Sequence, residues 1–188
     1  MKRMLDLFSG LGGASRAFAN HPNWEVVTVD VNPDFEPDIV LDMLKWRECE
    51  NALLTPHFDL IWASPPCIEF YRVLAPWFDE YGEPPDMALV EAAVELISLF
   101  QPTTWVLENT ESGHRFIDNV LGGYRQRIGP FYLWGNFPLL TNVEIVGNHK
   151  AQVDVWSTNP MRSAIKSKVP LEVSEGLLQS MQEQTTLF

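Results

Sequence analysis

Cys67 carries the most chemical potential in this sequence. It follows Ser64-Pro65-Pro66, and consecutive prolines hold a backbone extended and stiff, which presents a thiol at a fixed point. A thiolate so placed can act as a nucleophile. The alternative is a small buried hydrophobe. That role suits Cys49 better, since Cys49 sits in the polar stretch Arg47-Glu48-Cys49-Glu50. The next candidate is Glu108-Asn109, just past the apolar run Thr103 to Leu107. A carboxyl whose pKa is raised by burial can give a proton to a ring nitrogen at neutral pH. The third is Asp6-Leu7-Phe8-Ser9-Gly10-Leu11-Gly12-Gly13, where glycines allow a sharp turn and a close approach to a ligand. Its spacing is not GxGxxG. Asp30, ending the next β-branched run, is placed to accept from ribose hydroxyls, and Asp42 from an adenine amino group. Taken alone, each acid equally well caps a loop.

These residues need strands to carry them. Apolar runs over Met4–Phe8, Trp24–Val29, Ile39–Leu41, Phe58–Ala63 and Thr103–Leu107 each read as a buried strand. Phe131–Trp134 and Val143–Val146 read as two more. Helices are expected over Gly12–Asn20, over Met87–Phe100 with its apolar 3.6-residue spacing, and over Pro170–Met181, with a frayed end from Gln182 to Phe188. Ala75–Pro85, with three prolines and several aromatics, reads as a surface loop. Strands alternating with helices predict an α/β fold, a mostly parallel sheet with helices on both faces. Ligands bind such sheets outside the carboxyl ends of the strands, and every candidate above lies at such an end.

The bulk properties narrow the class. The 188 residues suffice for one domain with its own core. No apolar stretch reaches the ~20 residues of a membrane helix, and the N-terminus lacks the apolar core of a secretory signal, so a cytoplasmic protein is expected. Two cysteines without a CxxC pair exclude a disulfide scaffold and a cysteine zinc site, and no metal is expected. The net charge of −12 runs against a surface built mainly for phosphates. The cations do cluster, at Arg115, Arg125 and Arg127 and at Lys150, Arg162, Lys166 and Lys168, which leaves room for a local basic face.

The ordered set of motifs resembles the DNA cytosine C5-methyltransferase family. Asp6 to Gly13 is similar to its first motif, Pro65-Pro66-Cys67 to its nucleophile motif and Glu108-Asn109 to its Glu-Asn-Val motif. Arg125-Gln126-Arg127 is similar to its Arg-x-Arg motif, and Ser167 to Leu177 to the last motif, which folds back beside the cofactor. The resemblance spans Met4 to about Met181. It implies a Rossmann-like fold that binds S-adenosylmethionine through Phe8, Ser9, Gly10, Leu11, Gly12, Gly13, Asp30, Val31, Asp42, Met43 and Pro65. It implies DNA as the substrate, Cys67 as the nucleophile, Glu108 as the group that meets the exocyclic amine and N3, and Arg127 with Arg125 holding the base or its phosphate. In the family, such enzymes serve restriction–modification and phage self-protection.

The sequence departs from the family in four places. Thr110 replaces the valine after Glu-Asn, Ile68-Glu69 follows Cys67 in place of Gln, and Asp30 stands where a glutamate is commoner. Between the Arg-x-Arg motif and the last motif there are only residues 128–166, too few for a recognition domain with a core of its own. A single catalytic domain over 1–188 is therefore expected. Its specificity is relaxed, supplied by short loops, or lent by a partner protein. Trp77, Phe78 and Tyr81 suggest a lid or a stacking surface, or simply loop packing. Methylation of a free cytosine nucleotide or RNA, and a degenerate cofactor-binding interaction protein, stand as alternatives.

Overall fold

The computed structural model describes residues 1–49, 57–73, 84–141, 143–145 and 161–186. Seven strands form one sheet: β1 (Lys2–Leu7), β2 (Trp24–Asp30), β3 (Ile39–Val40), β4 (Leu60–Ala63), β5 (Thr104–Thr110), β6 (Gln126–Ile128) and β7 (Phe131–Asn136). Their order is β3-β2-β1-β4-β5-β7-β6. The first five strands pair in parallel, β7 lies antiparallel to β5, and β6 antiparallel to β7. The sheet is the Rossmann-like, mostly parallel one expected.

Alternation along the strands divides the core in two. Leu5, Leu7, Ile61, Ala63 and Leu107 face one side, under helices α3 (Ala88–Phe100) and α4 (Glu111–Leu121). Met4, Leu60, Trp62 and Val106 face the other, under α1 (Arg16–Ala19) and α6 (Leu171–Thr186). Two further helices are short, α2 (Ile68–Val73) after Cys67 and α5 (Arg162–Ser167).

Several boundaries differ from the sequence reading, each for a local reason. The first helix covers only Arg16–Ala19, because Gly12 adopts φ 63° and its N–H turns back onto the Ser9 carbonyl at 2.8 Å. β5 runs on through Glu108 and Asn109 to Thr110, since β7 offers Leu133, Tyr132 and Phe131 as partners. α4 was not expected. Its buried residues are Ser112, Gly113 and Ile117, so packing is close but no apolar stripe marks it. α6 continues through Thr186, past the point where fraying was expected. Residues 143–145 form no strand, and Val146 lies outside the described residues. So do Trp77, Phe78 and Tyr81 and most of the 75–85 loop.

The strand order reverses between β1 and β4, the position at which open α/β sheets bind ligands. The glycine turn leaves β1 and Pro65-Pro66-Cys67 leaves β4, so both flank that crevice. Among the described residues, no helix is long and apolar enough to cross a membrane, and no group of three or more His, Cys, Asp or Glu could hold a metal ion.

Candidate active site

The turn after β1 is fastened from three sides. Phe8, half-buried against the core, takes a left-handed φ of 61°, a strained conformation for a non-glycine residue. Ser9 is buried and its N–H donates to the Val29 carbonyl at 3.0 Å, while Leu11 is half-buried. The buried Asp30 carboxylate accepts from the Gly10 N–H at 2.8 Å and, through its other oxygen, from the Asn32 N–H at 2.9 Å. Beneath the turn, the Ser15 hydroxyl donates to Asp6 at 2.5 Å. Burial raises the Asp6 carboxyl to about 7, the Ser15 bond opposing the rise and the charge of Asp30 adding to it.

The C-terminal segment closes the far side of this turn. Gly13 packs so tightly that a Cβ there would lie 2.4 Å from the Val169 carbonyl oxygen and 2.8 Å from the Val169 nitrogen. From α6, Ser174 donates to the Ala14 carbonyl at 2.5 Å and accepts from the Ala17 N–H at 3.1 Å. Backbone atoms cannot swing aside as a side chain can, so Gly13→Ala forces the two segments apart. The expected cost is roughly 1–3 kcal/mol, read as a lower midpoint in thermal or urea unfolding.

Val31 is 64% exposed, an uncovered apolar side chain just past Asp30. Asp42 caps the 3-10 turn Met43–Cys49, its Oδ1 accepting from the Leu44 N–H at 3.1 Å. Met43 is buried in the core, so only its backbone is free to meet a ligand.

On the other side of the crevice, the Asn109 side chain donates to the Pro65 carbonyl at 2.9 Å and ties β5 to the buried first residue of Pro65-Pro66-Cys67. Gly113 lets α4 press against that tie. A Cβ on it would lie 2.6 Å from Asn109 Oδ1 and 2.8 Å from the Phe70 ring of α2. Cys67 itself is partly buried. Burial and then the nearby Glu108 charge push its thiol above the ordinary range, while its backbone and the Thr110 hydroxyl hydrogen-bond it and pull the other way. Glu108 is buried, and burial raises its carboxyl to about 7 against the opposing Ser64 hydroxyl. The structure thus brings Cys67 and Glu108 together.

The two arginines have partners of their own. Arg125 donates through Nε to the Phe137 carbonyl at 2.7 Å and lies over the Phe137 ring. Arg127 donates to the Gly129 carbonyl at 2.9 Å, covers the Tyr132 ring and sits 4.0 Å from Glu111. Register puts Arg127 on the sheet face of Asn109 and Tyr132, not that of Glu108. Both guanidinium groups remain exposed.

The chain is 32% identical over 121 residues to a protein of Frog virus 3 (isolate Goorha) called "Probable DNA (cytosine-5)-methyltransferase". The match covers 59% of the chain and 55% of that methyltransferase, so the chain spans about half the length of the curated relative. Among solved methyltransferase structures, a candidate DNA modification enzyme encoded within an E. coli prophage gives a TM-score of 0.47 at 18% identity, covering 72% of this chain and 47% of that one. The Entamoeba histolytica methyltransferase EhMeth gives 0.46 at 15% identity, covering 82% and 60%. No family model matches.

The sequence reading missed the parts that act on the site from behind it. Thr110 registered only as a departure from valine, yet it lies two residues past Glu108 and therefore on the same strand face. Its Oγ1 is 2.8 Å from the Ser112 hydroxyl. Period two along β5 was the available signal. Gly113 and the Asp6–Ser15 bond left none, because both depend on how distant segments meet.

Proposed function

We propose that this chain transfers a methyl group from S-adenosylmethionine to C5 of cytosine in DNA, with Cys67 as nucleophile and Glu108 as proton donor. The observation that carries the reading is a thiol paired with a buried carboxyl of pKa about 7, at the tips of adjacent parallel strands beside a glycine turn. The curated relative adds weight.

The donor set fits the cofactor. A Cβ built on Gly10 meets nothing within 4 Å, so the space above the turn is open. Each Asp30 oxygen accepts one backbone N–H and keeps a lone pair for a ribose hydroxyl. Val31 offers an apolar surface to adenine, and the Asp42 oxygen not used as a cap can accept from its amino group. Held there, S-adenosylmethionine supplies an electrophilic methyl group on a sulfonium. Asp30→Ala is expected to weaken binding of S-adenosylhomocysteine roughly 10- to 100-fold, measured by calorimetry. An unchanged Kd would remove Asp30 from the site.

The chain's own groups do the rest. The Cys67 thiolate adds to C6 of the flipped-out cytosine. Electrons move towards N3, where Glu108 delivers its proton and stabilises the charge that develops. C5 is then nucleophilic and takes the methyl group. A base, water included, removes the C5 proton, the C6–sulfur bond breaks, and N3 returns its proton to Glu108. Arg125 and Arg127, both exposed, bind backbone phosphate.

The covalent step is testable directly. DNA carrying 5-fluorocytosine blocks loss of the C5 substituent and traps the adduct. Wild-type protein with cofactor gives a denaturant-stable complex. A protein that binds S-adenosylhomocysteine yet forms no adduct is not this enzyme. The charge of −12 favours a second reading, in which a cytosine nucleotide or RNA is the substrate. Labelled methyl transfer to each substrate in turn separates the two.

A further inference from the structure

The pairing of β4 with β5 sets Trp62 opposite Val106 and Ala63 opposite Leu107. One step further, that register sets Ser64 beside Glu108. The bond from Asn109 to the Pro65 carbonyl keeps the same offset one residue beyond. Trp62 and Ser64 are two residues apart and share the Glu108 face. The fully buried Trp62 indole donates through Nε1 to the Ser64 hydroxyl at 2.7 Å. That register makes the Ser64 hydroxyl a neighbour of the Glu108 carboxyl, where it opposes the rise that burial imposes.

Chemistry fixes the direction of this chain of bonds. An indole N–H can only donate, so the Ser64 oxygen accepts from Trp62. The Ser64 hydrogen is then left for the neighbouring Glu108 carboxyl. We propose that Trp62 and Ser64 are positioning residues forming a one-way relay, indole to hydroxyl to carboxyl, which holds one Glu108 oxygen as an acceptor and leaves the acid proton on the other oxygen, turned to the substrate ring. This rests on the reading of Glu108 as the group that meets the base. The relay has a second effect. A bond donated to a carboxylate favours its charged form, so it restrains the rise that burial imposes. A carboxyl left without it holds its proton too firmly to release it.

Other groups face Glu108 from the neighbouring elements. Cys67 lies on the loop after β4 and couples to it. Asp6 on β1 shares the face of Trp62 but is bonded to Ser15. β7 presents the apolar Leu133 opposite Glu108, with Gln126 of β6 beyond it.

Protonation of Glu108 can be read on the protein alone, by infrared titration of 13C-glutamate-labelled chain with Glu108→Gln identifying the band. The wild-type midpoint is expected at about 7. Ser64→Ala moves it upward by about one pH unit, Ser64→Thr restores it, and Trp62→Phe moves it upward by less. An unmoved or lowered midpoint in Ser64→Ala, or in Trp62→Phe if only that variant folds, overturns the relay. So does a shift that Ser64→Thr fails to reverse. A chain that binds S-adenosylhomocysteine but traps no 5-fluorocytosine DNA overturns the proposed function and leaves this midpoint result standing.

Discussion

Cys67→Ser is expected to form no adduct with 5-fluorocytosine DNA and to lose methyl transfer by about 10⁴-fold or more. The size follows from the atom replaced. A thiol, even one pushed upward by burial and by Glu108, ionises far more readily than an alcohol and is the stronger nucleophile. Serine is nearly isosteric and still reaches the Thr110 hydroxyl, so the fold is undisturbed and the loss is chemical. Denaturing gels read the adduct, and bisulfite sequencing of DNA from cells expressing each variant reads the product. Activity above about 1% of wild type would show that the sulfur does not form the bond to C6.

Glu108→Gln is expected to lower methyl transfer by roughly 10²- to 10³-fold and to change its pH dependence. On the proposed mechanism, the reactive enzyme needs a protonated Glu108 and an ionised Cys67. Burial holds the first at about 7, and the second titrates above the ordinary thiol range. Below pH 7 the thiolate alone limits, and kcat/KM rises with pH. Between the two pKa values, the gain in thiolate is cancelled by the loss of acid, giving a plateau. Glu108→Gln has no acid to lose, so its rate keeps rising through the wild-type plateau. A plateau retained in the variant would rule out Glu108 as the acid. Stability gives a second readout. Because the folded-state pKa lies above the unfolded one, the native state binds the extra proton between about 4.5 and 7, and stability falls as pH rises through that window. The total loss is about 3 kcal/mol, and Glu108→Gln escapes it.

What could be read from the sequence was what is local. The glycine turn, the stiff Pro65-Pro66 step and the apolar runs of β1, β2 and β4 are each set by neighbouring residues, and they led to the sheet observed and to strand ends that flank one crevice. What escaped depends on residues far apart. Glu108 was read as lying past its strand, because β5 is lengthened by a partner 25 residues downstream, at Leu133. Helix α4 packs through Ser112 and Gly113, small residues whose value lies in closeness and not in hydrophobicity. Ser64 was named for its place before the prolines. Its bond to the Trp62 indole follows from strand alternation, and its partnership with Glu108 only from register.

The seat beneath Gly13 is built from Lys168 and Val169, and Ser174 clips it to Ala14 and Ala17. A ribosome releases the glycine turn early and its supporting wall more than 150 residues later. During synthesis, therefore, the strands that bear the thiol and the carboxyl can pair while the turn proposed to hold the methyl donor still lacks a side. On the proposed function, the nascent chain gains its chemistry last, and a fragment cut before residue 168 is expected to carry Cys67 and Glu108 without a firm seat for the cofactor.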